Sequence, residues 1–431
     1  MNQRQVRAWV TYDWANSAFA TTMMAAVMPV FYESVAGAGL GEGVALSYWG
    51  YTQTIAMLCV AILSPVLGAI ADFRGSKVRF LSVFAFLGAL SCLVSFFIGE
   101  GDWLLASLLV ILGTIGFSGG NTFYDALLPD LVPERNRDVV SARGFAAGYL
   151  GGGLLLALNI AMIEGWEMFG FPDKTTATQT VFVTVGIWWI VFSIPLLRAV
   201  KDRPANRAVP LLRVVRTGFA RNLATLRRIR QYPELAKYML AYWFFNDGIN
   251  TIIIMATIYG ATIGIGTTHL IIALLITQFV GYPCTLLFGR LAARLGSKPS
   301  LYLSLFIYVL IVILGYFMST EWHFYALAIL VGLVQGGSQA IARSIYANLT
   351  PPSRRAEFFG FLSLSSKFSA SAGPFLFGLV GTLTGSARLG ILAVLAFFVI
   401  GILLLMLVNL VKGRDEALAG EGGNAGTAVT A

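Results

Sequence analysis

Two ten-residue stretches decide the fold: Gly68-Ala69-Ile70-Ala71-Asp72-Phe73-Arg74-Gly75-Ser76-Lys77, and Gly289-Arg290-Leu291-Ala292-Ala293-Arg294-Leu295-Gly296-Ser297-Lys298. Each is Gly-x6-Gly-Ser-Lys at the end of a long apolar run, and the second lies 221 residues after the first. Other pairs recur in the same order. Gly144, Gly148 and Gly152 match Ser365, Ser369 and Gly373 at offset 221; these are small-xxx-small faces that let helix backbones approach closely. Asp13-x-x-Asn16-Ser17 matches Asp247-x-x-Asn250-Thr251 at offset 234, and Leu131-x-Pro133 matches Leu349-x-Pro351 at offset 218. Several matches in order mean duplication, so the chain is read as two related halves.

Composition says what the halves are made of. Of 431 residues, 57% are hydrophobic and 12% charged; a soluble domain carries roughly 25% charged residues. Exposed apolar surface on that scale would aggregate in water, which excludes soluble enzymes, nucleic-acid binders and disordered chains. A bilayer crossing needs about 20 mostly apolar residues. Twelve segments qualify: 6–32, 46–71, 79–99, 103–128, 140–163, 178–199, 236–262, 269–293, 299–319, 323–349, 357–384 and 387–411. Arg4 and Arg7 before an apolar stretch resemble a leader peptide, but Asp13 and Asn16 interrupt the apolar core, so the stretch is expected to be a retained first span. The expected architecture is all-α and integral to the membrane. It has a six-helix bundle at 1–199, a linker at 200–235, a second bundle at 236–412 and a disordered Gly-rich tail at 413–431.

Basic residues orient the chain. With the first residue cytosolic, external loops hold only Lys174 and Arg388 of the 30 lysines and arginines, while acids such as Glu33, Glu100 and Asp173 collect outside. The positive-inside rule therefore puts both termini in the cytosol. A bacterial inner membrane is assumed. The linker carries Arg213, Arg216, Arg221 and Arg227 between Leu211, Val215, Phe219, Leu223 and Leu226, a helical spacing that predicts an amphipathic helix on the anionic leaflet.

Two parallel six-helix repeats around a long cytosolic loop resemble the major facilitator superfamily, in which substrate binds near the midplane between the halves. The 68–77 stretch is similar to that superfamily's helix 2–3 signature, with Phe73 standing where the signature has arginine. Gly68, Asp72, Arg74, Gly75, Lys77, Gly289, Gly296 and Lys298 are thereby expected to form cytosolic latches. Three longer segments resemble the vacuole-effluxer-like branch: Tyr12-Asp13-Trp14-Ala15-Asn16-Ser17-Ala18-Phe19; Leu128-Pro129-Asp130-Leu131-Val132-Pro133 with Gly148-Tyr149-Leu150-Gly151-Gly152-Gly153; and Asn246-Asp247-Gly248. That resemblance implies a secondary transporter and an amino-acid-like cargo.

Charge inside a bilayer is costly and marks function by default. Asp13, Asp125, Asp247, Arg343 and Lys367 fall within predicted spans. Helices 1, 4, 7 and 10 of this fold are expected to line the cavity, which puts four of those five beside it. Asp13 with Asn16, and Asp247 with Asn250, share helix faces and should meet the cavity from opposite halves. Either aspartate suits a proton or a cargo ammonium. Arg343 suits a cargo carboxylate, or alternatively an ion pair with Asp125 that acts as a gate. Lys367 is a candidate partner that would neutralise Asp247. Asn121, Tyr124, Trp243, Gln335 and Gln339 are the uncharged cavity candidates; Asn and Gln there bind cargo or bridge helices. Gly119-Gly120 and Gly336-Gly337 are expected at close helix contacts, or alternatively to loosen helices 4 and 10 for rocking.

Cys59, Cys92 and Cys284 lie in separate apolar runs, and His269 and His323 belong to no motif, so no metal site, disulfide framework or catalytic triad is expected. The sequence contains no Gly-x-x-x-x-Gly-Lys-Ser/Thr for ATP and no His-Glu-x-x-His, which argues against an enzyme and against any cofactor. The expected partners are the lipid bilayer, a small solute and protons, not nucleic acid, and a monomer suffices. The competing functions are export of lipophilic compounds and a transport-inactive sensor or scaffold.

Overall fold

A computed structural model of the chain describes residues 2–40, 44–74, 76–202, 229–369 and 372–425. The N-terminal half holds α1 (Gln3–Ala36), α2 (Val44–Arg74), α3 (Lys77–Val94), α4 (Trp103–Leu131), α5 (Arg137–Glu164) and α6 (Lys174–Ala199). The C-terminal half holds α7 (Pro233–Thr262), α8 (Thr267–Leu295), α9 (Ser297–Tyr316) and α10 (Glu321–Leu349). There follow α11 (Arg355–Ser369) with α12 (Ala372–Thr384) as the eleventh pass, and α13 (Ala387–Ala393) with α14 (Leu395–Met406) as the twelfth. Nine of these passes are long and apolar enough to cross a membrane on the described residues alone. The second, seventh and eleventh complete the twelve-pass fold.

The start of α1 meets the end of α6, and the start of α7 meets the end of α14, where Lys237 donates to the Leu407 carbonyl at 3.0 Å; this end of the molecule is the linker side. Gln5 donates to the Ala199 carbonyl there at 3.2 Å. Asp202 receives the backbone N–H groups of Val78 and Arg79 at 2.7 and 3.1 Å, satisfying donors that the first turn of α3 leaves free. Close approach of helices is set by glycine. A Cβ on Gly116 of α4 would lie 2.5 Å from the backbone nitrogen of Gly88 in α3, so these two backbones are in direct contact. Gly296 takes a φ of 94°, a left-handed conformation that lets the chain leave α8 and start α9 at once.

Three expectations need correction. The first helix is longer than 6–32 and is not α-helical throughout: Phe19–Val27 and Tyr32–Ala36 are wound as π-helix around Pro29, whose missing N–H breaks the regular ladder. The twelfth pass ends at Met406 rather than 411. The tail is not disordered where it is described: α15 (Leu410–Ala425) folds back onto the start of α7. Glu234 is the reason. Its side chain receives the Asn409 N–H at 2.8 Å and Lys237 at 2.7 Å, and its own N–H donates to Glu416 at 3.1 Å. Burial works against this carboxylate, yet the Asn409 N–H, Lys237 and Lys412 outweigh it and hold Glu234 below the ordinary glutamate range. The predicted linker helix at 211–226 and the last six residues lie outside the described set.

Candidate functional site

A cavity of about 510 Å³ lies between the halves. Its lining is ordered by depth. On α10, Phe324, Leu327 with Ala328, Val331, Gln335 and Gln339 recur at three- or four-residue steps along one face. The face is apolar toward the far side and polar toward the linker side, and one turn further stands Arg343. On α1, Asp13, Asn16, Ser17 and Thr21 supply polar groups at the deep end, joined by Asn121 from α4, Tyr149 from α5, Asn250 from α7 and Gln278 from α8. The outer wall comes from the C-terminal half, including Leu270, Ile311 and Met318.

The floor closes at Arg343. This residue reaches from the C-terminal half into the N-terminal one and is 7% exposed. It pairs with Asp125 at 2.9 Å and Asp13 at 3.6 Å, and donates to the Ser141 hydroxyl and carbonyl at 2.9 and 3.0 Å. Its guanidinium lies 4.9 Å from the Trp9 ring centre and 4.2 Å from that of Phe145. Tyr124 stacks on Trp9 at 4.3 Å and donates its hydroxyl to Asp13 at 2.8 Å. Asp13 is therefore shared. One side of it faces the cavity; the other touches the closing arginine.

Further contacts tie the halves together on the linker side. Ser141 donates to the Ala340 carbonyl at 2.8 Å, Ser297 to Asp138 at 2.7 Å, and Arg137 to Asn348. Asp130 accepts from Lys77 of its own half and Arg355 of the other. Gly68 lies directly on the Ala356 carbonyl, so α2 and α11 touch backbone to backbone. Arg414 of α15 reaches Glu134 at 2.9 Å. The conformation is sealed at the linker side.

Comparisons with known proteins agree with this architecture. The family model for Atg22-like vacuole effluxers matches residues 41–418. The chain belongs to that family. It is 40% identical to the MFS-type transporter YxiO of Bacillus subtilis (strain 168), over 94% of this chain and 95% of that one. It is 23% identical to autophagy-related protein 22-2 of Aspergillus fumigatus, over 86% of this chain and 76% of that one. In structure it resembles the proton:xylose symporter XylE with a TM-score of 0.70 at 14% identity, over 94% of each chain. This Atg22-like chain is thus a multi-pass membrane transporter of the major facilitator superfamily, not an enzyme.

Several residues singled out in the sequence stand elsewhere than expected. Asp247 does not line the cavity. It is 1% exposed and accepts the Gly373 N–H at 3.1 Å, a donor left free by the first turn of α12. Only Asn250 of that pair reaches the cavity. Trp243 lies off the cavity on an exposed face of α7. Arg343, Asp125 and Tyr124 form the seal beneath the cavity rather than its lining. Asn16 donates to Asn121, and Tyr149 donates to Gln339 at 3.4 Å. Gly119 lies against Phe84, Gly120 against the Tyr12 hydroxyl, Gly336 against Thr285 and Gly337 against Phe288. Gly289 sits on Ala142 across the halves, whereas Lys298 holds the carbonyls of Met406 and Val408 within its own half. The side chains of Asp72, Arg74 and Lys367, and all of Gly75, lie outside the described set. Ser141, Trp9, Phe145 and Tyr149 were not anticipated. No sequence signal picks out Ser141, but an aromatic pair one and four residues before an intramembrane aspartate is a cue for a cation partner.

Proposed function

We propose that the protein exports a small, amine-bearing solute of amino-acid type by alternating access, coupled to protons. The observation that carries this reading is the double exposure of Asp13, to the cavity and to Arg343 at 3.6 Å. An ammonium group or a proton arriving on Asp13 removes one of the two carboxylates that hold the arginine. Leaving a charge buried without its partner costs about 3–5 kcal/mol, so the seal opens readily only when Asp13 is compensated. The amides of Asn16, Asn121, Asn250, Gln335 and Gln339 offer donors and acceptors to the rest of the cargo.

The excess of basic residues on the linker side supports a cytosolic position for both termini. The kinship with a Bacillus protein supports a bacterial plasma membrane. The cavity then faces outward, and this conformer is the releasing state of an exporter. A lipophilic amine is the second reading, favoured by the apolar outer wall of Phe324, Leu327 and Val331.

The test is counterflow of a labelled amino-acid mixture in proteoliposomes, with and without a pH gradient, for wild type and Asp13→Asn. Gradient-driven flux that the variant loses is the expected result. Flux indifferent to both changes overturns the coupling role of Asp13. No flux of any amino acid by correctly inserted protein overturns the cargo class and leaves the lipophilic amine.

A further inference from the structure

The linker-side contacts must part when the seal opens, so something nearer the middle has to keep the halves in register. We infer that Tyr149 is the positioning residue on which the two halves turn. Three observations converge on it. Its ring, carried by the N-terminal half, enters a slot in the C-terminal half bounded by two glycines, Gly281 of α8 and Gly336 of α10. A Cβ on Gly281 would lie 3.1 Å from two carbons of that ring, tighter than ordinary contact. And residues 149, 281 and 336 each fall near the middle of their helices, Arg137–Glu164, Thr267–Leu295 and Glu321–Leu349.

Position along α5 separates this contact from the seal. At 1.5 Å per residue, Ser141 and its bonds to Arg343 and Ala340 lie about 12 Å from Tyr149 toward the linker side. In a rocking motion displacement grows with distance from the axis. A contact at the helix midpoints is the one both states can retain, while polar bonds of 2.8–3.0 Å at the end are lost. The slot works by shape. Two missing Cβ atoms give a flat ring room to tilt, and its hydroxyl makes only a long bond, 3.4 Å, to Gln339. The ring, not the hydroxyl, does the positioning.

The inference rests on the alternating-access part of the proposed function, but the experiment needs no cargo, so its outcome is independent of which solute is carried and of proton coupling. Full-length protein lacking its three native cysteines carries spin labels at Arg135→Cys and Ser353→Cys, exposed positions on the linker side of opposite halves. Double electron–electron resonance in liposomes then reads the ratio of open to sealed linker-side distances. Gly281→Ala wedges the slot and forces the halves apart at their middle, which the short seal bonds cannot follow; the open:sealed ratio is expected to rise about tenfold. Tyr149→Trp overpacks the same slot from the other half and is expected to act in the same direction, so the inference survives a variant that does not fold. Tyr149→Phe keeps the ring and should leave the ratio within about twofold of wild type. Adding Tyr149→Leu to Gly281→Ala trims the knob and should restore it. An unchanged ratio in both wedging variants overturns the inference. So does a Tyr149→Phe effect as large as that of Gly281→Ala, since the hydroxyl would then be the determinant.

Discussion

Arg343→Met is the sharpest perturbation of the seal. It keeps a long side chain near Trp9 and Phe145 but strands Asp125 and Asp13, which the guanidinium meets at 2.9 and 3.6 Å. Breaking a buried pair by removing one partner costs about 3–5 kcal/mol. Arg343 bridges the halves in this sealed conformation, and a state that parts them on the linker side would escape nearly all of that loss. At about 1.4 kcal/mol per tenfold, the open:sealed ratio should rise by roughly two to three and a half decades. The rescue is more diagnostic than the loss. Adding Asp13→Asn and Asp125→Asn removes the stranded charges, and a neutral, well-packed replacement of a whole buried ion cluster is often no less stable than the original. Spin-label distances across the linker side measure all of these proteins. A ratio unchanged in Arg343→Met, or a triple variant as open as the single one despite normal folding, would refute the reasoning.

Other expectations follow from individual contacts. Tyr124→Phe removes the 2.8 Å hydrogen bond to Asp13 and should cost about 1.5–3 kcal/mol, read as a lowered melting temperature that the neutral Asp13→Asn background no longer shows. Gly116→Ala drives a Cβ onto the Gly88 backbone, which cannot yield as a side chain would, and should destabilise the N-terminal half by about 1–3 kcal/mol in thermal unfolding. Glu234 is held below its ordinary value, so its anchoring of α15 is complete at neutral pH and lost as pH falls through that lowered value. Proteolysis of the tail should therefore accelerate only in acid for the wild type, and at neutral pH for Glu234→Gln. Trp243→Ala, which changes an exposed position off the cavity, should leave flux within about twofold of wild type.

Apolar run lengths and the two Gly-x6-Gly-Ser-Lys stretches made the architecture legible, because a bilayer imposes both the length of each helix and the need for close backbone approach. The site was legible only by face. The spacing of Asp13 and Asn16 says they share a helix face, and they do. It does not say which neighbour that face meets. Asp13 met an arginine of the other half; Asp247, its counterpart in the repeat, met the Gly373 N–H instead. Duplication preserves residue types more readily than partners, since the partners belong to other helices that diverge on their own. Trp243 fails for a related reason: an aromatic ring in a span suits lipid, a helix interface or a cavity equally well. The tail failed through composition. Glycine and alanine read as disorder, but Lys412 and Glu416 are spaced one turn apart and a buried glutamate at the start of α7 supplied the anchor.

Sharing Asp13 between cavity and seal has a consequence for the transport cycle proposed above. In the closed cluster two carboxyl groups, Asp13 and Asp125, face the single guanidinium of Arg343. On opening, Arg343 departs with its half and leaves two carboxylates behind. Asp125, with a side chain 28% exposed, can be reached by water; Asp13, at 11%, is the more enclosed of the two. An empty carrier would thus leave Asp13 uncompensated in a low-dielectric site each time it opened, whereas a loaded or protonated one would not. On that proposal, the arrangement that would recognise a positive charge would also penalise opening without one. Asp13→Asn is therefore expected to do two things at once: weaken binding of amine cargo and relieve the barrier to empty turnover. A variant that lost binding yet kept a wild-type barrier to empty opening would separate the two roles and break the argument.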